Sequence, residues 1–283
     1  MPQRDAPTAR QRRLGWELRK LRERAGMSAT EAGELLGIGQ SRVSNTEVGR
    51  IGISAERVRV FALNYGCDDE RLVEALAAME TGRTRHWWEE YRGRLPAGLL
   101  DLAELEHYAT AIRTAQLTHL PGLLQTVDYA RLTFRQCIPQ LPPPEIEYRI
   151  SHRIKRQDVI YRARPIPYTA IIHEAALRMQ FGGPEVTREQ LRHIIDMSER
   201  DGVAVLVIPF SAGIFPGSGQ TIVFAEGPLP ELDTVQLDAE HGFVFVHTEV
   251  ALAKYRTVLD RMEAMALKPE PSRDFIRSIM KTL

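Results

Sequence analysis

SATEAGELLGIGQSRVSNTEVGR, residues 28–50, is the stretch that decides the fold of the first part of this chain. Ser28 and Glu31 have the spacing of a capping box, which predicts that a helix begins there. Gly37 can adopt the positive φ that ends a helix. A second helix is expected to begin near residues 39–40, so the stretch predicts two short helices joined by a tight turn.

The outer faces of this second helix carry hydrogen-bonding side chains. Val43 and Thr46 are expected to point inward, which leaves five polar residues on the other faces. These are Gln40, Ser41, Arg42, Ser44 and Asn45. Gln and Asn pair bidentately with adenine, Arg pairs with guanine, and Ser bonds bases or phosphate. The pattern favours contact with DNA; the alternative is an ordinary helix pair of a small bundle.

With its flanks, the stretch resembles the helix-turn-helix of phage repressors and of bacterial Xre-type regulators over about residues 14–65. The resemblance is carried by LRKLR (18–22), AGMS (25–28), LGI (36–38), QSRVS (40–44) and EVGR (47–50). It implies that the second helix lies in the major groove. Gln40, Ser41 and Asn45 would lie nearest the bases, and Arg42 would reach either base or phosphate.

The resemblance also implies contacts with the DNA backbone. Arg50 and the backbone amides of Val48 and Gly49 are expected to contact phosphates just past the second helix. Ala29 departs from the family, which usually has there a Gln that contacts a phosphate. One backbone contact is therefore expected to be missing.

A structural ion pair is implied in the same way. Arg22 and Glu47 match the positions at which phage-type repressors tie the first helix to the end of the recognition helix. Thr46 stands where the family usually has Ile or Leu, so the recognition helix is expected to be slightly underpacked.

Charge is unevenly distributed along the 283 residues, which contain 37 basic and 37 acidic side chains. Residues 1–66 carry twelve Lys or Arg and seven Asp or Glu, a net charge of +5, and the remainder carries −5. Such asymmetry is expected when one end binds a polyanion by counterion release. Residues 1–9 are predicted to be a disordered basic arm, which either follows a DNA groove or is an untethered, solvated terminus.

Two domains are expected. Residues 10–80 are predicted to form a DNA-binding domain of five helices, residues 81–86 a linker, and residues 87–283 a C-terminal regulatory or partner-binding domain. Trp87 and Trp88 follow the linker, and neighbouring helix residues point in different directions. One is therefore expected in the core and the other at an interface; the alternative is that both belong to an ordinary helix–loop junction.

The C-terminal part alternates between helical and strand-like patterns. Helices are predicted at 87–92, 99–109, 127–136, 143–162, 184–200, 248–266 and 272–282, and strands at 168–172, 203–208, 221–224, 234–237 and 243–246. The predicted fold class is α+β overall: an N-terminal all-α, five-helix, phage-repressor-like domain followed by a mixed α+β C-terminal domain.

A second resemblance covers this C-terminal part. It is carried by WW (87–88), LPAGL (95–99), HLPGLLQT (119–126), YAR (129–131), HEAALR (173–178), GGP (182–184) and IPFSAG (208–213). These pieces are similar to the second domain of a group of actinobacterial regulators described as antitoxin-like. Those proteins combine an Xre-type head with a partner or sensor domain, and their genes often lie beside one for a small companion protein.

Signals for metal or cofactor chemistry are weak. Cys67 and Cys137 are far apart and lack a CxxC partner, which is typical of reduced thiols in the cytoplasm. His241 and His247 could share a metal but are not favoured as ligands, and no HExxH motif occurs. The sequence therefore predicts no metal, no cofactor and no catalytic residue.

Two carboxylates, Glu106 and Glu174, are candidates for a pair that lines a cavity, near Arg113 or Arg178. A structural ion pair is the favoured interpretation of a buried carboxylate beside an Arg. The sequence also has no run of about 18 apolar residues and no secretion signal, so no membrane association is expected.

These observations predict a cytoplasmic, sequence-specific transcriptional regulator and not an enzyme. We expect a homodimer on a double-stranded DNA operator, with a C-terminal domain that senses a small-molecule effector or a companion protein. The alternative is an antitoxin-like interaction protein that sequesters a small partner and autoregulates through its DNA-binding head.

Overall fold

The computed structural model describes residues 6–80, 86–239 and 242–283. The chain divides into two compact units, one ending at Glu89 and the other running from Glu90 to Leu283. The predicted linker, 81–86, precedes this boundary, but its residues 81–85 lie outside the described residues, as do residues 1–5 of the predicted arm. Each unit is described by itself.

Five α-helices build the described part of the first unit, as predicted. They are α1 (Ala9–Arg24), α2 (Ala29–Leu35), α3 (Gln40–Glu47), α4 (Ala55–Asn64) and α5 (Glu70–Ala77). Side-chain caps set several of their starts. Thr8 caps α1, and Ser28 caps α2 in the predicted capping box, in which Glu31 bonds back to the Ser28 amide.

The core of the first unit contains the apolar stripe predicted for the first helix. Leu14, Leu18 and Leu21 of α1 are buried, and they are joined by apolar side chains of the later helices. Those side chains are Ala32, Leu36, Val43, Val58, Phe61, Ala62, Tyr65 and Leu76. Helices this short are marginal in isolation, so this shared core supplies most of their stability.

The second unit is built on a six-stranded mixed sheet. Its strands are β1 (Ala111–Gln116), β2 (Tyr168–His173), β3 (Val203–Ile208), β4 (Ile222–Glu226), β5 (Thr234–Ala239) and β6 (Gly242–Val246). Their order is β3-β2-β1-β4-β5-β6, with β1, β2 and β3 parallel and the other pairings antiparallel. Together with the all-α head, this gives the predicted α+β fold.

The helices of the second unit cover both faces of the sheet. They are α6 (Ala97–Tyr108), α7 (Val127–Arg135), α8 (Pro143–Arg156), α9 (Asp158–Tyr161), α10 (Glu174–Arg178), α11 (Pro184–Ser198), α12 (Glu249–Met265) and α13 (Pro269–Met280). Residues of α9, α11 and α13 share one core with one face, and residues of α12 share another core with the opposite face. No described helix is long and apolar enough to cross a membrane.

Four details differ from the sequence-based expectations, the first being the short helix α10, which was not predicted. The central strand β1 was not predicted, because AIRTAQ has one β-branched apolar residue and no clear alternation. Residues 87–92 were predicted as an α-helix, but Trp87–Tyr91 is a 3-10 helix. The single helix predicted over 143–162 is interrupted at Gln157, so that α8 and α9 are separate.

Candidate nucleic-acid interface

The turn between α2 and α3 is held by backbone geometry. Gly37 has a φ of 64°, and the amide of Ile38 donates to the carbonyl of Gly33 at 2.8 Å. A Cβ at Gly33 would lie 2.8 Å from the Ile38 carbonyl oxygen, so only glycine permits this close contact. The two helices are therefore fixed relative to each other by their own sequence.

The inner face of α3 is buried, although Thr46 contributes only a small side chain to it. Val43 and Thr46 are buried, and the Thr46 hydroxyl donates to the Arg42 carbonyl at 2.9 Å. Gly15 of α1 adds a contact that the sequence did not reveal, since a Cβ there would lie 2.4 Å from the Glu47 carbonyl oxygen. The missing Cβ lets α1 approach the end of α3 closely.

Arg22 and Glu47 form a bidentate ion pair between α1 and α3. The distances are 2.6 Å from Arg22 Nε to Glu47 Oε1 and 2.9 Å from Arg22 Nη2 to Glu47 Oε2. Arg22 Nη1 also donates to the Met27 carbonyl at 2.6 Å. Both side chains are buried, and the hydrogen bond to Glu47 raises the pKa of Arg22. The pair thus fixes the end of α3 against the first helix.

The outer face of α3 is polar and accessible. Gln40, Ser41 and Arg42 are exposed, and Ser44 and Asn45 are half-buried. The amides are held along the helix, Gln40 Nε2 donating to Ser44 Oγ at 2.9 Å and Asn45 Nδ2 to the Ser41 carbonyl at 2.8 Å. These bonds orient the two side-chain amides. An amide that recognises a base edge has to exchange its bond along the helix for a bond to the base.

Two cations at this face lack a counterion in the part of the chain that the structure describes. Among the described residues, neither Arg42 nor Arg50 has an ion-pair partner, and both are exposed. By contrast, the exposed Arg59 of α4 pairs with Glu74 at 2.7 Å. Uncompensated arginines beside a polar helix face favour a polyanionic partner.

The two backbone amides expected at phosphates have other partners. The Val48 amide donates to the Ser44 carbonyl at 3.1 Å, and the Gly49 amide donates to the Thr46 carbonyl at 2.9 Å. Gly49 is also buried, with a φ of 76°, where a Cβ would lie 2.9 Å from the Arg12 amide nitrogen. These amides complete the end of α3, so a phosphate would have to share them with the helix carbonyls, and their contact with phosphate stays a prediction. The Val48 side chain is exposed.

The comparisons with known families agree with this division of the chain. Residues 13–76 match a family model described as a helix-turn-helix domain. Residues 99–278, more than half of the chain, match a domain of unknown function, DUF5753. The chain belongs to the DUF5753 family. Comparisons with curated proteins and with solved structures found no match.

The DUF5753 part contains the carboxylates singled out in the sequence, and they do not form a pair. Glu106 is buried and bonds Arg156 through both oxygens, at 2.7 and 2.6 Å. Glu174 accepts from Arg178 Nε at 2.6 Å and from the Phe210 amide at 2.7 Å. Both are therefore structural ion pairs, the favoured interpretation.

Arg113 is not a partner of either carboxylate. It contacts two acidic residues of α12, with 2.8 Å to Asp260 and 2.7 Å to Glu263. The actual partner of Glu106, Arg156, follows it by fifty positions and was not predicted, since no local pattern links them.

Neither the paired tryptophans nor the histidines add a chemical centre. Trp88 is buried and Trp87 half-buried, with ring centroids 5.6 Å apart and edge-to-face. Their expected role at an interface stays a prediction. In the described ranges, no three His, Cys, Asp or Glu side chains lie close enough to hold a metal ion, and His241 lies outside those ranges.

Proposed function

We propose that this protein is a sequence-specific transcriptional regulator of the Xre type whose first unit binds operator DNA. The observation that carries the proposal is the outer face of α3, where exposed polar side chains lie beside two arginines without counterions in the described protein. The net charge of +5 on residues 1–66 supports the same partner, because phosphate neutralisation supplies most nonspecific affinity.

The proposed docking places α3 in the major groove. Gln40, Ser41 and Asn45 contact base edges, and Arg42 contacts a guanine edge or a phosphate. Arg50 contacts the backbone. The bidentate Arg22–Glu47 pair keeps α3 in one orientation, so little conformational entropy is lost when DNA binds.

The second unit is proposed to supply dimerisation and regulation. A single head offers few base contacts, so specific affinity requires two half-sites bound by a homodimer, about 10 base pairs apart or a multiple of that. The signal is a small molecule or a companion protein of the antitoxin-like type. A companion that co-purifies in a stable heteromeric complex at native expression levels favours the antitoxin-like role.

The test is selection of bound fragments from random DNA by the full chain, with and without the companion protein. We expect one imperfect palindrome to be enriched. Arg42→Ala should abolish that enrichment, whereas Arg59→Ala, which removes an exposed but paired arginine, should preserve it. Recovery of unrelated sequences by the unchanged protein contradicts sequence-specific binding.

Assembly is tested separately by sedimentation of the full chain and of the fragment 1–83. We expect a dimer for the full chain and much weaker operator binding for the fragment. A full-length monomer, or a fragment with full-length affinity, contradicts the assignment of dimerisation to the second unit.

A further inference from the structure

One face of helix α12 lies open beside the segment that joins β3 to β4. This segment, residues 209–220, packs against the helix, since a Cβ built at Gly217 would lie 3.3 Å from Val258 Cγ1. Between the two elements runs a groove of about 810 Å³, lined by the part of the segment around Pro216 and by residues of α12 from 253 to 265. The groove therefore has one wall from a helix and one from a connecting segment.

The 209–220 segment is held in place at its start. The Phe210 amide donates to Glu174 Oε2 at 2.7 Å. The His173 ring lies edge-to-face with the rings of Phe210 and Phe215, at centroid distances of 5.2 and 5.4 Å. Phe215 also packs against the core beneath α12. This wall is therefore formed before any partner binds, which lowers the conformational entropy that binding costs.

Apolar side chains along the groove are exposed to solvent. Ile214, which lines it, exposes 67% of its surface. Val250 exposes 85%, and its spacing of four and seven residues from Lys254 and Thr257 places it on the same face of α12 as these groove residues. Clustered exposed apolar residues mark a site of protein contact. The lining is too exposed to enclose a small molecule, since sites of that kind bury about 70% or more of their ligand.

Two cations without a matching charge flank the groove. Lys254 and Arg261 are exposed, and neither has an ion-pair partner in the described part of the chain. The nearby carboxylates of α12, Asp260 and Glu263, both bind Arg113 instead. The segment that forms the other wall contains no ionisable side chain. The groove therefore attracts a negatively charged partner.

The spacing of these groups describes the partner. Lys254 and Arg261 are seven residues apart, which is two helical turns, or about 10 Å along α12. Thr257 and Ala264 of the groove are exposed and small, so a second helix can approach α12 closely. The groove follows α12 for about 18 Å, or three turns of a helix. These dimensions match a helix laid in a groove.

We propose that the groove binds an acidic amphipathic helix of a partner protein. Apolar residues of that helix, at positions i, i+3 or i+4 and i+7, lie against Ile214 and Met265, and two carboxylates two turns apart pair with Lys254 and Arg261. A second copy of the chain is a poorer occupant, because an isologous contact brings the same cations of both copies together. The proposal rests on the proposed function only in making this partner the companion protein.

The test is a titration of the full chain with three synthetic helical peptides, observed through the methyl NMR signal of Met265, which is identified by its loss in Met265→Leu. The peptides have uncharged termini and one shared apolar face, and they carry glutamate, glutamine or lysine two turns apart on its flanks. We expect a saturable shift with the glutamate peptide, weaker binding of the glutamine peptide and the weakest binding of the lysine peptide. Absence of a saturable shift with the glutamate peptide, or equal affinity for all three, overturns the proposal.

Charge reversal separates the groove from general attraction between charges. Lys254→Glu combined with Arg261→Glu should weaken binding of the glutamate peptide about tenfold or more and make the lysine peptide the preferred one. The matched control combines Arg164→Glu with Arg192→Glu. These arginines are exposed, have no ion-pair partner in the described part of the chain and do not line the groove. The control should keep the original order of the peptides; the same order in both double variants overturns the site.

A further variant decides whether a second copy occupies the groove. Ala264→Trp fills the groove from an exposed position, and it should abolish binding of the glutamate peptide without changing the sedimentation of the full chain. Peptide binding that persists in Ala264→Trp overturns the site. Conversion of a dimer into a monomer by Ala264→Trp would show that a second copy occupies the groove, which overturns the assignment to a partner protein.

The regulatory role is examined on the same samples by operator titration with and without the glutamate peptide. Saturable peptide binding with a change in operator affinity supports both proposals. Saturable binding without such a change keeps the groove as a binding site and overturns its role in regulation. Failure of the full chain to bind any operator overturns the proposed function and leaves the peptide result standing.

Discussion

The two units each bury an arginine–glutamate pair of nearly the same geometry. Arg22 lies 2.6 Å from Glu47, and Arg156 lies 2.6 Å from Glu106; in both pairs the side chains expose 9% of their surface or less. Their neighbours differ. In the first unit, another buried arginine, Arg13, has its own carboxylate, Glu17, at 2.9 Å. In the second unit, Arg153 lies beside the pair and has no carboxylate within 4.0 Å among the described residues.

This difference separates a unit whose buried charges are paired within the fold from one in which a half-buried charge has no carboxylate beside it. Where every buried charge is matched by the protein, removing one partner affects folding, and the surface residues are left to recognise the ligand. Arg153 is only half-buried, so its charge is partly reached by solvent and tolerates the lack of a carboxylate. The first unit therefore presents its polar chemistry on the outside of α3.

The largest effect is expected in the first unit. Glu47→Ala leaves Arg22 buried without its carboxylate and should lower the free energy of unfolding by about 3–5 kcal/mol. Urea unfolding followed by isoleucine methyl NMR signals reports the two units separately. The matched control, Glu74→Ala, removes an exposed carboxylate that lies 2.7 Å from Arg59, and it should change little. Equal effects would show that burial of the Arg22 pair is unimportant.

The next effect concerns binding by α3. Asn45→Ala removes an amide that lies on its outer face, and it should cost about 1–3 kcal/mol on the selected operator and relax preference at one position per half-site. Gln40→Ala should behave similarly. Titrations on cognate and scrambled duplexes measure the loss of affinity in each variant. A loss of equal size on both duplexes would mean that Asn45 does not contact a base.

Acid should weaken the second unit more than the first. Burial, followed by the charges of Arg156, Arg153 and Lys155, lowers the pKa of His152 to about 3. The unfolded chain therefore takes up a proton below pH 6.5 that the folded chain does not, and stability falls as the pH falls. Between pH 7 and pH 5 this amounts to about 2 kcal/mol.

The contribution of His152 is isolated by a variant. The pKa values of His119, His173 and His193 are also lowered by burial, so the second unit has a steeper pH dependence than His152 alone provides. His152→Gln should remove the part of the pH dependence of stability that His152 causes. His107→Gln is the control for the loss of an imidazole elsewhere in the unit. Urea unfolding of the unchanged protein and of each variant, followed by the isoleucine methyl NMR signals at pH 5 and pH 7, measures this pH dependence. An unaltered pH dependence in His152→Gln would refute the assignment.

The smallest effect is a change in salt dependence. Arg50→Ala should weaken binding to all duplexes alike and make the slope of log K against log salt shallower by about one unit, because one fewer counterion is released. Arg59→Ala, whose arginine is already paired, should keep the original slope. Retention of the slope in Arg50→Ala would exclude a phosphate contact.

The part of the fold that could be predicted is the part specified by local chemistry. Ser28 with Glu31 gave the start of α2, and Gly37 gave its end, because capping and positive φ depend on a few adjacent residues. The inward positions Val43 and Thr46 followed from helical periodicity. The outer polar face of α3 followed from the same periodicity.

What could not be predicted depends on residues distant in the sequence. Strand β1 is buried by its neighbours, so it needs no β-branched run of its own. Arg156 meets Glu106 through the packing of α8, fifty positions away in the sequence. The capping bonds of the Val48 and Gly49 amides were not predicted either, because they are a property of the finished helix end.

The central claim is that α3 of this DUF5753 protein recognises a DNA sequence. The most direct measurement is a titration of the full chain, at one fixed salt concentration, against the selected palindrome and against a duplex of the same composition in scrambled order. The account predicts a preference for the palindrome of about a thousandfold or more. Equal affinity for the two duplexes would contradict it.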